Sequence, residues 1–81
     1  MKQNVEVYTQ PDCPPCKVVK QFLDHHSVSY KEFDVSVDMA ARDRMVMEFQ
    51  SYSTPTVRVG RELVVGFDLP KLQSLLGISD K

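Results

Sequence analysis

The tetrapeptide Cys13-Pro14-Pro15-Cys16 constrains this chain more than any other feature, because these are its only two cysteines and they stand three residues apart. A pair so close cannot close a long loop and staple a small domain. The two prolines between them are compatible with a helix only in its first turn, where a missing N–H costs least. Cys13 therefore marks a helix start. From Pro14 to about His26, Val18, Val19, Phe22 and Leu23 recur at helical spacing, with Lys17, Lys20, Gln21 and Asp24 on the other face. Ahead of the cysteines, Asn4 to Thr9 is β-rich and sets Val5, Val7 and Thr9 on one side, which predicts a strand ending at Gln10-Pro11-Asp12.

The rest of the chain continues the alternation. Val28 to Val35 is rich in β-branched and aromatic residues and predicts a second strand. Asp38 is a good N-cap for a helix reaching about Gln50, with Ala41, Met45 and Phe49 four residues apart and Val46 beside them. Ser51 to Thr54 reads as a loop. Pro55 to Val59 and Glu62 to Val65 predict two strands of a hairpin turning at Gly60-Arg61. Asp68 can cap a last helix bearing Leu69, Leu72, Leu75 and Leu76, and Gly77 can end it. The order is βαβαββα, an α/β architecture. Its first half needs a parallel strand pair with a right-handed crossover, and the hairpin adds antiparallel strands, giving a four-stranded mixed sheet with helices on both faces. With 81 residues and no linker or repeat, residues 1–81 form a single domain.

Composition excludes several functions. Ten Lys and Arg against eleven Asp and Glu give a net charge of −1, so the basic surplus that nucleic-acid binding relies on is missing. No run approaches the roughly 20 apolar residues of a membrane span, and the opening MKQNVEVYT lacks the apolar core of a signal peptide. A cytoplasmic protein is expected, without membrane or nucleic-acid partners. The polar helix faces leave no large apolar patch, which predicts a monomer.

The cysteines point to chemistry. Residues at i and i+3 in a first turn lie roughly 5–6 Å apart at Cβ, so a disulfide can form and break with little backbone movement. The helix start favours a thiolate at Cys13, which makes it the nucleophile, and Cys16, one turn further in, can resolve the mixed disulfide that results. Pro14 and Pro15 lack N–H groups, so the donors left for the Cys13 sulfur are the amides of Cys16 and Lys17. Lys17 and the helix dipole support the thiolate and Asp12 opposes it, so a partly lowered Cys13 pKa is expected. Other uses of these residues fit less well. A CxxC pair is half of a zinc site, but the second pair is missing and His25 and His26 are adjacent. Two inert buried cysteines conflict with the exposed position of the first. His26 continues the apolar stripe of its helix, His25 faces solvent or the helix C-terminus, and Met39, Met45 and Met47 are expected to fill core or rim space.

Taken together, Tyr8-Thr9-Gln10-Pro11-Asp12 before Cys13-Pro14-Pro15-Cys16, then Thr54-Pro55, then Gly66-Phe67-Asp68, resemble the glutaredoxin branch of the thioredoxin superfamily over almost the whole chain. The resemblance implies a thioredoxin fold, a cis Thr54–Pro55 bond beside the nucleophile, and a thiol–disulfide oxidoreductase that reduces protein disulfides. It also implies that the Thr54 backbone pairs with an extended substrate by strand addition, and that the Gly66-Phe67-Asp68 turn meets the γ-glutamyl end of glutathione. Gln10, Pro14, Pro15, Lys17 and Pro55 complete the substrate-binding set it implies. No bound cofactor and no metal site are expected, with glutathione as co-substrate. Glutathione-binding members usually carry Gly-Gly where Gly66-Phe67 stands, a basic residue where Gln10 stands and an aromatic where Pro15 stands. Each change removes a contact. The Gly-Phe pattern is more similar to the small thioredoxin-like members of the NrdH-redoxin type, whose usual reductant is thioredoxin reductase, so either that enzyme or glutathione is the expected electron source. A glutathione-dependent [2Fe–2S] cluster carrier and a zinc-binding interaction module are the alternatives from other functional classes.

Overall fold

Strict alternation along one strand organises the molecule. In β1 (Val5–Thr9), Val5 and Val7 point to one face of the sheet and Tyr8 to the other. Each face gathers its own core. Val5 and Val7 join Val57, Val59 and Val64 under Val19 and Leu23 of α1 (Pro14–His25) and Leu72 of α3 (Leu69–Leu76). On the opposite face Tyr8 packs with Val35, Ala41 and Met45, bordered by Phe33, Val46 and Phe49. The computed structural model describes residues 4–66 and 68–77.

Four strands form one sheet in the order β2-β1-β3-β4, where β2 is Lys31–Asp34, β3 is Thr56–Val59 and β4 is Glu62–Val65. β1 runs parallel to β2, with Tyr8 opposite Phe33, and antiparallel to β3, with Tyr8 opposite Thr56. The hairpin of β3 and β4 turns at Gly60, whose φ of 61° lies in the left-handed region that glycine adopts without steric cost. This is the thioredoxin fold, a mixed four-stranded sheet with helices on both faces. Among the described residues no helix is long and apolar enough to cross a membrane.

Two elements depart from the sequence expectation. The second strand is shorter than Val28–Val35, because its one neighbour in the sheet is β1, which begins at Val5, and Lys31 already pairs with Glu6. Val28 is instead tied to the end of α1 by its N–H, which donates to the Leu23 carbonyl at 2.9 Å. The second helix is not one continuous α-helix to Gln50. It is α-helical over α2 (Met39–Asp43) and π-helical over Arg44–Glu48. Steps of four residues overshoot an α-helical turn by about 40° each, so Ala41, Met45 and Phe49 would drift around an α-helix. The wider turn keeps Met45, Val46 and Phe49 against the same core. Met45 is buried, whereas Met39 and Met47 are exposed.

Polar groups tie the layers together. The buried Tyr8 hydroxyl donates to Glu6 Oε1 at 2.7 Å and accepts from Arg44 Nη1 at 3.1 Å, and burial pushes its pKa above the ordinary phenol value. Its ring stacks on Phe33 and meets Phe49 edge-on. On the other side of β1, Lys20 of α1 donates to Glu32 of β2 at 2.8 Å, and the Thr9 hydroxyl donates to the same carboxylate at 2.9 Å. The bond from Lys20, then that from Thr9, hold the Glu32 carboxyl below its usual range against the opposing effect of burial.

Because the folded-state pKa of Glu32 lies below its unfolded value, the stability this pair contributes is present above the carboxylate range and is lost as pH falls through the folded pKa. Glu32→Gln should therefore flatten the fall in thermal midpoint on acidification below about pH 4. At neutral pH the same variant should cost no more than about 1 kcal/mol, as for exposed pairs generally.

Candidate active site

The antiparallel pairing of β1 with β3 brings three distant segments to one end of the sheet. Beyond the end of β1 lie Gln10, the turn at Pro11-Asp12 and Cys13. Ahead of β3 lies the loop ending at Thr54-Pro55, joined by a cis peptide bond. Beyond β4 lies Gly66, whose N–H donates to the Pro55 carbonyl at 2.9 Å.

Cys13 is the N-cap of α1. Its backbone is extended, and its sulfur accepts the N–H of Cys16 at 3.2 Å, satisfying one of the free donors of the first turn. The two cysteines form a disulfide across a Cα–Cα separation of 5.2 Å, well inside the range such bridges span. Cys13 is half-buried, whereas Cys16 is only 2% exposed. The pair thus presents one sulfur to solvent and keeps the other inside. Pro14 and Pro15 occupy the first two helical positions and are exposed.

One expectation about donors is corrected. The Lys17 amide is not available to the Cys13 sulfur, because it closes the first α-helical turn by donating to the Cys13 carbonyl at 3.2 Å. A group that sequence reasoning did not assign takes a place there instead. The Thr54 hydroxyl lies 3.7 Å from Cys13 Sγ, a contact made across 41 residues of chain.

The loop that carries Thr54 is held by buried hydroxyls. The Thr56 hydroxyl donates to the Ser53 carbonyl at 2.8 Å, and Ser51 Oγ lies 2.7 Å from Thr56 Oγ1. Ser51 and Thr56 are both buried, and each satisfies the other. The signal for this in the sequence is the hydroxyl run Ser51 to Thr54 and Thr56 around a proline, a pattern that is legible as a loop but not as a network.

Two depressions lie near this end of the sheet, one of them lined by Cys13. One of about 370 Å³ is lined by Asp12, Cys13, Pro14 and Lys17. The other, of about 440 Å³, brings Gln10 and Thr54 together with Tyr52, Ser53, Arg42 and Met45. Of the residues singled out in the sequence, Pro14 and Lys17 line the depression at Cys13, Gln10 and Thr54 line the other, Pro15 is exposed in the first turn of α1, and Pro55 is buried behind Thr54. Gly66 lies beside Pro55, and Phe67 falls outside the described residues. Asp68 caps α3 with its own side chain, accepting the Lys71 N–H at 3.1 Å. Since Pro70 has no N–H, the first-turn donor of α3 left uncommitted by these two residues is that of Leu69. Among the described residues no three His, Cys, Asp or Glu side chains come together as a metal site would require.

Comparison with known proteins finds a family and structures of the same fold. The family described as Glutaredoxin matches residues 5–64. The crystal structure of the thioredoxin-like protein BC3987 superposes with a TM-score of 0.89 at 59% identity, covering 90% of this chain and 100% of that one. A glutaredoxin-like 8.6 kDa protein from the rubredoxin operon of Clostridium pasteurianum is 25% identical over 72 residues, 89% of this chain and 96% of its own length. NrdH-redoxin from Escherichia coli superposes with a TM-score of 0.77 over 89% of this chain and 93% of its own, at 20% identity, where the likeness is one of fold.

Thr56→Val should remove the shorter of the two hydroxyl bonds to the Ser53 carbonyl and leave the buried Ser51 Oγ with only its longer bond to that carbonyl, at 3.3 Å. A loss of about 1–3 kcal/mol in stability is expected by denaturant titration. Because Ser51 lines no part of the sulfur's surroundings, Ser51→Ala should cost stability while leaving the reactivity of Cys13 nearly unchanged.

Proposed function

This chain belongs to the glutaredoxin family, and from that premise we propose that it is a dithiol–disulfide oxidoreductase that reduces protein disulfides through Cys13, with Cys16 as the resolving thiol. The observation that carries the reading is the asymmetry of the pair. Cys13 is solvent-reachable at a helix N-terminus and accepts an N–H, while Cys16 is buried one turn behind it. In the reduced protein the Cys13 thiolate attacks one sulfur of a substrate disulfide, forming a mixed disulfide and releasing the other sulfur as a thiolate. Cys16 then gives up its proton and attacks Cys13 Sγ. The second substrate sulfur leaves as a thiolate, so the substrate gains two electrons and the protein ends as the Cys13–Cys16 disulfide. A dithiol reductant returns the two electrons.

We propose a flavoprotein of the thioredoxin reductase type as that reductant in preference to glutathione, in a reducing cytoplasm and with the protein acting as a monomer. Three features support the preference. Gln10 stands where a cation would meet a carboxylate, Asp68 and Pro70 take up or remove first-turn donors of α3, and the similar protein BC3987 is described as thioredoxin-like. By strand addition, the backbone at Thr54 would pair with the extended segment around the substrate cysteine.

Cys13→Ser should abolish the reduction of an insulin disulfide, and Cys16→Ser should accumulate a mixed disulfide with the substrate, seen by mass. Retained turnover in the first variant would overturn the assignment of the nucleophile. Equilibration in glutathione buffers of known ratio, followed by alkylation and weighing, tests the reductant. Only dithiol and internal disulfide are expected, with a potential near about −270 mV. A glutathione adduct accumulating on Cys13, with a potential near about −200 to −230 mV, would make glutathione the co-substrate instead.

A further inference from the structure

A thiolate at Cys13 has few donors along its own helix. Pro14 and Pro15 carry no N–H, the Lys17 amide is spent on the Cys13 carbonyl, and the Cys16 amide alone reaches the sulfur. The Thr54 hydroxyl stands 3.7 Å from the same sulfur on a different segment of the fold. We propose that Thr54 donates its hydroxyl proton to the Cys13 thiolate and is the second donor that sets the reactivity of the nucleophile, supplied from the loop before β3 in place of the amides the two prolines remove. The proposal rests on Cys13 being the nucleophile, as argued above.

Three observations favour the direction of this bond. In the disulfide the sulfur has no proton, so the hydroxyl is the donor in the contact the structure shows. Among the described residues, the Thr54 hydroxyl makes no other hydrogen bond, so its proton has no competing acceptor there. Its neighbours in the loop are fixed independently. Ser53 O is held by Thr56, Pro55 is buried, and Pro55 O is held by Gly66. Thr54 is therefore presented by a framework that does not itself depend on the sulfur. When the reduced sulfur gives up its proton it gains a full charge, and a hydrogen bond to an ionised acceptor is roughly twice as strong as a neutral one. The hydroxyl thus favours the thiolate over the thiol and lowers the Cys13 pKa, as a donor to the charged form does.

The rate of alkylation of Cys13 in the reduced protein against pH, with Cys16 changed to Ser throughout to leave one thiol, measures this directly. Thr54→Val keeps the shape and removes the donor, Thr54→Ala removes it without the branched methyl groups, and Thr54→Ser restores it. The pH of half-maximal reactivity should rise by about half a unit or more in the Val and Ala variants, a threefold or greater loss in the thiolate-to-thiol ratio. It should stay within about 0.2 units of the parent in the Ser variant, a difference too small to matter against the spread such groups show. No rise in either hydroxyl-free variant would overturn the proposal. An equal rise in all three, Ser included, would overturn it too, by showing that packing and not the hydroxyl sets the reactivity. Should Val fail to fold, as judged by circular dichroism, Ala decides the question. Failure of the wild-type protein to reduce an insulin disulfide would instead count against the proposed function, a result that the alkylation profile does not move.

Discussion

The antiparallel pairing of β1 with β3, with Tyr8 opposite Thr56, is the constraint on which the rest depends. Reversed direction places the start of β3 beside the end of β1, so the cis Thr54–Pro55 bond and the helix start at Cys13 meet at one end of the sheet although Thr54 lies 41 positions after Cys13. A slip of one residue would turn every side chain of β3 to the other face. Val57 and Val59 would then leave the core under α1 and α3, and Thr56 would leave its bond to Ser53. Core packing and site geometry are thus fixed by the same register.

Electrostatics at the sulfur follow from a compromise between backbone and side chain. Two prolines in the first turn give α1 a preset start, and in the same positions they remove amides that would face an anion. The helix keeps one amide for the sulfur and spends the next on its own first turn. What the helix does not supply can come only from another segment, and the loop before β3 is the one that approaches. The start of α3 shows the same economy in reverse. There Asp68 fills the helix N-terminus with a carboxylate belonging to the protein, which leaves less of it for a carboxylate of a substrate.

Rigidity behind the site comes from buried polar groups that are all partnered. Ser51 and Thr56 are as buried as the valines around them, and burying a hydroxyl is tolerable only when it is bonded. On the far face, the Tyr8 hydroxyl reaches Glu6 and Arg44 in the same way, linking β1 to the π-helical turn. No buried side-chain nitrogen or oxygen among the described residues lacks a partner. The loop before β3 is therefore tied to the sheet by its own hydroxyls.

The sequence alone determined the element order, the helix start at the cysteines, the capping by Asp38 and Asp68, and the reach of the two cysteines to one disulfide, because each rests on local rules: alternation, helical spacing, turn residues and the reach of side chains three positions apart. Val5, Val7, Val19, Leu23 and Leu72 were legible as core for the same reason. The tertiary structure decided what depends on neighbours distant in the chain. The second strand shortened because its partner begins at Val5, and the second helix widened into a π-turn because Met45, Val46 and Phe49 must share a core whose shape Tyr8 and Phe33 set. The Thr54 hydroxyl beside Cys13 belongs to the same class. Which hydroxyl stands across from the sulfur is settled by how β1 and β3 pair, which brings Thr54 to Cys13 across 41 residues of chain. Local spacing cannot carry that information, because it holds no term for which segments meet.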